Sequence, residues 1–120
     1  DYQERSNLKF SLNASDISIV SLLPIAHKAV MPSKFYGILQ SGKPICFIGD
    51  ENSFISNYIA EERCGFSIKT NDVNLFSKKI NFLYENRNFL KEMGVNSFNS
   101  YKRNFGKIKS INKYKKIFNI

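Results

Sequence analysis

Histidine, cysteine and tryptophan are nearly absent from this chain of 120 residues, which holds one, two and none of them. Cys46 and Cys64 have neither CxxC spacing nor a cluster of histidines beside them, so the pattern of a zinc site or a redox motif is missing. Cys46 also lies inside an apolar run. We therefore expect two buried thiols in a reducing cytosol and assign them no chemistry.

Long hydrophobic runs are also missing. Ser, Lys or Gly interrupts each apolar run before it approaches the ~20 residues that span a bilayer. Asp1 and Glu4 occupy the place where a signal peptide would carry basic residues, so we predict no signal peptide and a cytoplasmic protein. The chain starts without Met and in the middle of a pattern, and we expect it to be a fragment of a longer protein.

Acidic residues are scarce in the last part of the chain. Residues 73–120 hold eleven Lys or Arg against two Asp or Glu, whereas residues 1–72 hold seven against eight. The formal net charge of +8 therefore belongs to the C-terminal segments. Lys, Asn, Ile and Phe are all abundant, as in proteins from AT-rich genomes, so part of this surplus has a compositional explanation.

Short runs rich in Ile and Val alternate with helical patterns, which predicts a single α/β domain over residues 1–120. The predicted strands are Ile17–Leu23, Pro44–Ile48 and Gly65–Lys69. Helices are predicted over residues 3–14, from Pro32 to a stop at Gly42, after a turn over Gly49–Ser53 to about Glu62, from Asn71 or Asp72 to Tyr84, from Asn88 toward Phe98, and after Gly106. The order indicates half of a doubly wound, Rossmann-like parallel sheet with extra C-terminal helices.

The helix start at Pro32–Lys34 is the candidate for chemistry. Ligands of an open α/β sheet lie outside the carboxyl ends of its strands, where such helix starts converge. A helix start offers unpaired amides and a partial positive charge, to which Ser33 would add a capping hydroxyl and Lys34 a full charge. This combination suits a diphosphate. Pro-Ser is also common at helix starts, and a first-turn lysine is often only solvated, so the residues alone leave both interpretations open.

Gly37 lies in the middle of the same predicted helix. Glycine costs about 1 kcal/mol relative to alanine at such a position. Close approach of a ligand or another backbone would explain it, and so would tight packing against the following strand. The sequence does not decide between them.

Several motifs occur in an order and spacing that resemble one family. Residues 32–39 read Pro-Ser-Lys-Phe-Tyr-Gly-Ile-Leu, residues 47–50 Phe-Ile-Gly-Asp and residues 64–66 Cys-Gly-Phe. Asp16 precedes the first strand, and Glu92-Met-Gly-x-Asn96 falls in a later helix. From Tyr2 to about Phe118 the chain resembles the GT4-type glycosyltransferases of bacterial surface-polysaccharide synthesis, including those similar to colanic-acid and aminosugar transferases.

The resemblance implies one half of a GT-B enzyme, in which two Rossmann-like domains face each other across a cleft. This chain would be the C-terminal half that binds the nucleotide sugar, and the N-terminal acceptor domain would be missing. Members retain anomeric configuration and generally need no bound metal, and Asp50–Glu51 is not an Asp-x-Asp motif. We therefore expect glycosyl transfer to a polysaccharide or lipid-linked acceptor without metal or cofactor, and a fragment that is inactive alone.

By the same resemblance, the donor diphosphate would lie against Ser33 and Lys34, at the helix start that Pro32 opens. The nucleoside or sugar would be bordered by Phe35, Tyr36, Gly37, Gly49 and Asp50. His27 would lie on the cleft-facing loop Pro24–Met31, near the donor sugar, although a solvent-exposed loop histidine is the simpler interpretation. No catalytic residue is assigned.

Three positions depart from the family pattern. Many members carry two glutamates eight positions apart, and Ala29 and Gly37 stand in those places here. Phe54 stands where the subgroup tends to have an acidic residue. The usual ribose-binding carboxylate is then missing. An alternative function follows, in which the chain is a non-catalytic nucleotide-sugar-binding subunit that pairs with a separate acceptor-domain protein.

The basic C-terminal segments suggest two further partners. Lys, Tyr and Phe interleave over Tyr101–Ile117, but the lysines fall largely opposite an apolar stripe and no nucleic-acid motif accompanies them. A solvated helix face is the simpler account, so we expect no nucleic-acid binding. The same helices could hold the protein against anionic lipid at the inner face of a membrane, where a basic residue gains about 1 kcal/mol.

Overall fold

The computed structural model describes residues 14–23 and 32–119, in which three strands and five helices follow one another. The bounds are β1 Ser18–Ser21, α1 Ser33–Gln40, β2 Ile45–Ile48, α2 Phe54–Glu62, β3 Gly65–Ile68, α3 Val73–Glu85, α4 Arg87–Phe105 and α5 Lys107–Phe118. The predicted helix over residues 3–14 falls outside the described residues except for Ala14. The predicted loop Pro24–Met31, with His27 and Ala29, also lies outside them.

The three strands form one parallel sheet in the order β1-β2-β3. Helix α1 leads from β1 to β2, and α2 leads from β2 to β3. The predicted fold class is therefore confirmed: a short parallel sheet flanked by helices, in the manner of a Rossmann-like half, with further helices at the C-terminal end. Among the helices of these ranges, none has both the length and the hydropathy to cross a bilayer.

Two apolar layers enclose the sheet. On one face the sheet is covered by α1 and α2. The predicted apolar stripe of α1, formed by Phe35, Ile38 and Leu39, is fully inaccessible to solvent there. On the other face Leu83 of α3 packs with Ile68 of β3. Buried apolar area on both faces of a parallel sheet explains why its central strand reads as an uninterrupted apolar run.

Both cysteines are buried, free thiols, as predicted. They belong to different clusters, Cys46 to the layer with α3 and Cys64 to the layer with α1 and α2. Burial raises the pKa of each thiol to about 11, so both are protonated at neutral pH. A thiol in that state is a poor nucleophile, which agrees with a packing role.

The element boundaries follow local signals in most places. Gly42 ends α1 with a positive φ of 69°, and its amide donates to the Leu39 carbonyl at 3.1 Å. Asp72 rather than Asn71 caps α3, with a carboxylate oxygen that accepts from the Leu75 amide at 3.1 Å. The predicted stop at Gly42 therefore holds, and the choice left open between residues 71 and 72 for the α3 cap is resolved.

Two predicted elements end more than one residue from where the structure ends them. Strand β1 is shorter than Ile17–Leu23, although the Leu22 amide still donates to the Ile48 carbonyl at 3.0 Å. Helix α4 runs past Phe98 to Phe105, because neither Gly nor Pro occurs between Phe98 and Gly106.

The C-terminal half of the domain is held to the sheet by α4. The Ser97 hydroxyl donates to the Lys43 carbonyl at 2.7 Å, and the Asn96 side-chain amide donates to the Arg63 carbonyl at 3.0 Å. Gly94 packs against Gly42 so closely that an added Cβ would lie 2.6 Å from the Gly42 carbonyl oxygen. These contacts all fall just before β2 and β3, and α4 therefore closes the amino edge of the sheet.

Candidate functional site

The start of α1 lies beside the carboxyl end of β1. In a parallel β-α-β unit the chain leaves a strand at its carboxyl end and returns through the helix to the amino end of the next strand. The Lys34 ammonium group donates to the Ile19 carbonyl of β1 at 3.2 Å, which fixes the helix start against this strand. Ser33 and Lys34 are both exposed. The Lys34 ammonium group therefore meets β1 at the second of its four residues, and a ligand site at this turn stays a prediction.

Lys34 lies on the side of β1 that faces away from β2. The amides of Ser18 and Leu22 donate to carbonyls of the β2 segment at 2.9 and 3.0 Å. Backbone groups of alternate residues in a strand point to opposite edges, so the Ile19 carbonyl points outward, and Lys34 meets it there. The ammonium group is therefore held at the outer edge of the described sheet.

The predicted cap on α1 is wrong. Pro32, with φ −63° and ψ 123°, is the residue before the helix, and no described side chain caps α1. Ser33 is already helical, so its hydroxyl is not placed to accept from the first-turn amides, which requires an extended residue. The Phe35 amide donates to the Pro32 carbonyl at 3.1 Å. The first turn carries no acidic side chain, and its partial positive charge adds to that of Lys34.

The two aromatic residues of this turn have packing partners. Phe35 is fully buried, with its ring centroid 5.4 Å from that of Tyr58. Tyr36 is half-buried and packs edge-on against Phe105, at 4.9 Å between ring centroids. The side chain of Phe35 therefore anchors α1 to the core, and a ligand at this position would meet backbone atoms only.

Gly37 and Gly49, both expected near the ligand, differ in their surroundings. A Cβ added to Gly37 would meet nothing within 4 Å among the described residues, so tight packing against β2 does not explain this glycine. A Cβ on Gly49 would lie 2.8 Å from the Leu22 carbonyl oxygen, and its amide already donates to the Ile68 carbonyl at 3.0 Å. Gly49 is required by the sheet, whereas Gly37 has no such requirement.

The loop after β2 is a short, hydrogen-bonded turn. A carboxylate oxygen of Asp50 accepts from the Asn52 amide at 2.8 Å, and the Asp50 carbonyl accepts from the Ser53 amide at 3.1 Å. The Ser53 hydroxyl accepts from the Ser56 amide at 3.2 Å and caps α2. Asp50 thus shapes the turn and places a carboxylate at the carboxyl edge of the sheet.

Shallow clefts lie at the strand ends. One, of about 270 Å³, is formed where β1 and β2 end, and a second, of about 180 Å³, lies between β2, β3 and the start of α3. The first is lined by Ser21, Leu22, Leu23, Ile48 and Thr70. Ser33 and Lys34 line neither cleft within the described ranges, so the charged turn lies to one side of them.

A wider cleft of about 520 Å³ lies at the opposite edge, among Asp16, Lys43, Lys91 and Phe98. It surrounds the Gly42–Gly94 contact at the amino ends of the strands. Ligands of open α/β sheets bind at the carboxyl ends, so its size does not make it the better candidate.

The sequence did not identify Leu22, Ile48 and Thr70 as cleft residues, or Ile19 as the partner of Lys34. The cleft residues could have been predicted from their place in the sequence, because residues at the end of a parallel strand, or directly after it, line the edge of the sheet where ligands bind. His27 and Ala29 lie outside the described residues. Where side chains are described, no three from among His, Cys, Asp and Glu converge as metal ligands.

Comparison with known proteins gives no assignment. No protein-family model matches the chain, and neither a curated protein nor a solved structure matches it significantly.

Proposed function

We propose that this chain is the donor-binding domain of a retaining, GT4-type glycosyltransferase with two Rossmann-like domains. It would bind a nucleotide sugar, and a second domain would bring the polysaccharide or lipid-linked acceptor. The observation that carries the proposal is the start of α1, where a helix terminus that no described side chain caps and the charged Lys34 lie at the outer side of β1.

The chemistry of this turn suits a diphosphate leaving group. When the bond between the sugar and the diphosphate breaks, negative charge accumulates on the departing phosphate oxygen. A fixed helix terminus stabilises that charge without reorganising, which lowers the barrier to transfer, and an ammonium group adds a full positive charge. Lys34 is exposed and would exchange its bond to the neutral Ile19 carbonyl for a stronger bond to a charged phosphate.

Gly37 and Gly49 would have different roles in this proposal. The absence of described atoms within 4 Å of a Cβ on Gly37 leaves room for a nucleoside or for the second domain beside α1. Gly49 would act indirectly, by letting the tips of β1 and β2 approach each other under the ligand. Asp50 would contribute through the turn that it holds, close to the sugar.

Binding of nucleotides to the 120-residue chain tests the proposal by isothermal titration calorimetry. We expect UDP or GDP to bind at least about tenfold more tightly than the corresponding monophosphate, because loss of a charged hydrogen bond costs about 1.5 kcal/mol. The affinity should fall with added salt, since the turn and Lys34 are exposed. Equal affinity for mono- and diphosphates, or no binding of either, would contradict the proposal.

A second function is favoured by Gly37 itself. The Cβ of a glutamate at this position would meet no described atom within 4 Å, and the glycine supplies no carboxylate for a ribose. The alternative is a non-catalytic nucleotide-sugar-binding subunit that pairs with a separate acceptor-domain protein. Reading the gene upstream of Asp1 separates the two: a Rossmann-like acceptor domain in the same frame supports the enzyme, and a start codon close to Asp1 supports the subunit.

A further inference from the structure

Helix α5 carries apolar side chains that the rest of the described structure leaves exposed. None of its twelve residues is buried. Ile108 is 78% exposed, Tyr114 64% and Phe118 65%. The helix follows α4 after an extended residue, Gly106, and the Lys109 ammonium group donates to the Arg103 carbonyl of α4 at 2.6 Å. The contact to α4 fixes the helix without covering its apolar side.

Four of the exposed apolar residues lie on one side of the helix, and Ile117, also exposed, lies outside that side. At 100° per residue, Ile108, Ile111, Tyr114 and Phe118 fall within an arc of about 120°. The opposite arc carries Lys109, Lys113 and Lys116. The helix is therefore amphipathic, with an apolar side that has no cover among the described residues and a basic side.

The charge around this helix has one sign. No Asp or Glu occurs after Glu92, and α5 alone contains five lysines. Arg103 at the end of α4 is paired with Glu62. The lysines of α5 therefore give this end of the molecule a concentrated positive charge, which attracts an anionic surface and disfavours a second copy of the same helix.

We propose that α5 lies in the plane of an anionic membrane, with its apolar side among the lipid acyl chains. A short amphipathic helix with lysines and aromatic residues has the pattern of an interfacial helix. Lys107 and Lys115 lie within the same arc as the apolar residues, so their ammonium groups reach lipid phosphates while their stems lie along the apolar surface. The lysines of the far side remain within about one Debye length of the surface, because a helix is only ~10 Å wide.

This inference does not depend on the proposed function, since no nucleotide takes part in it. Lipid is the proposed occupant because an anionic membrane would contact both the apolar side and the lysines of α5. A nucleic acid would need the lysines alone, and a second copy of the chain would need the apolar side alone. Each of these partners gives a different result in the test.

The test is co-sedimentation of the 120-residue chain with vesicles of phosphatidylcholine, with and without one third phosphatidylglycerol. We expect binding to the anionic vesicles, at least tenfold weaker binding to the zwitterionic ones, and loss of binding in 0.5 M salt. The chain has no tryptophan, so Tyr114→Trp adds a single reporter whose emission should shift to the blue on binding.

The decisive variant combines Ile111→Ser with Phe118→Ser. It keeps every charge and should reduce vesicle binding at least tenfold. Val73→Ser with Tyr84→Ser is the matched control, because both residues are similarly exposed on α3, and it should bind as the parent does. Circular dichroism of both variants in solution and with anionic vesicles checks that the domain remains folded.

Four results would overturn the proposal. They are no vesicle binding, equal binding to both vesicle types, vesicle binding unchanged by the Ile111→Ser and Phe118→Ser pair, and a lipid-free dimer that this pair dissociates in analytical ultracentrifugation. The third result would indicate a purely electrostatic surface of the kind that binds nucleic acids, and the fourth an interface between copies.

Discussion

The two edges of the sheet are built differently. At the amino edge α4 closes over the strand starts through the Gly42–Gly94 contact and the hydrogen bond from Ser97 to the Lys43 carbonyl. At the other edge the start of α1 is exposed and positively charged, and no described side chain caps it. Residues at the amino edge are thus explained by packing within the domain, whereas packing does not explain the residues at the start of α1.

The motifs that resemble those of glycosyltransferases also fall into two groups, those with a packing role and those without one. Gly94 and Asn96 of the later helix serve packing and hydrogen bonding at the amino edge. Gly49 does the same at the strand tips. Lys34 makes an exposed hydrogen bond to the Ile19 carbonyl, and among the described residues nothing requires a glycine at position 37, so the case for a ligand depends on these two. Four predictions test this comparison, in order of decreasing effect.

The largest effect is expected from alkaline pH, through the packed Cys64. Burial raises the pKa of this thiol from 9.0 to about 11, so between these values the unfolded chain loses the proton before the folded one does. The thiol's contribution to stability is therefore complete below pH 9 and is lost as the pH rises through 11. It amounts to about 3 kcal/mol. Urea unfolding from pH 8 to 11 measures it, with Cys64→Ala as the control that should show a smaller decrease.

Gly94→Ala should be the most destabilising single substitution at the amino edge. Its Cβ would lie 2.6 Å from the Gly42 carbonyl oxygen, which forces α4 away from the sheet. We expect a loss of about 2 kcal/mol in the free energy of unfolding, as for other overpacked sites. Urea denaturation measures it, and a stability equal to that of the parent would mean that α4 is not packed against this turn.

Lys34→Ala should affect binding and not folding. Loss of one charged hydrogen bond to a phosphate costs about 1.5 kcal/mol, or roughly tenfold in the dissociation constant for UDP or GDP. The free energy of unfolding should change by less than about 0.5 kcal/mol, because the residue is exposed. Lys78→Ala, an equal charge change on α3, is the control and should leave the affinity unchanged. A tenfold loss from the control variant would indicate an unspecific effect of net charge.

Gly37→Ala has the smallest expected effect, and its sign is informative. The new methyl group meets no described atom within 4 Å, so removal of a helix-interior glycine should stabilise the chain by about 1 kcal/mol. If a nucleoside occupies this space, the same substitution should weaken nucleotide binding while it raises the melting temperature. Higher stability with unchanged affinity would leave Gly37 without a role in binding by this domain.

Most of the fold was predictable from periodicity and turn chemistry. Apolar runs bounded by Gly and Pro located β2 and β3, and the apolar spacing of Phe35, Ile38 and Leu39 identified the buried side of α1. The end of β1 was not predictable in the same way. It depends on pairing with β2, which is a long-range contact.

The candidate site was predictable only in outline. The position of the α1 start at the carboxyl edge follows from the parallel topology. The different surroundings of Gly37 and Gly49 do not follow from the topology. They depend on how closely the Leu22 carbonyl approaches Gly49, which is far away in sequence. The absence of a cap from Ser33 was also missed, since a shift of one residue in the helix start moves the hydroxyl out of capping position.

The most direct test of the central claim maps nucleotide binding onto the two edges by NMR. The ¹⁵N-labelled chain is titrated with UDP and GDP, and the amide shifts of Ser33 and Lys34 are compared with those of Lys43 and Gly94. We predict saturable shifts at the α1 start and little change at the amino edge. Shifts centred on Lys43 and Gly94, with Ser33 and Lys34 unaffected, would contradict the account.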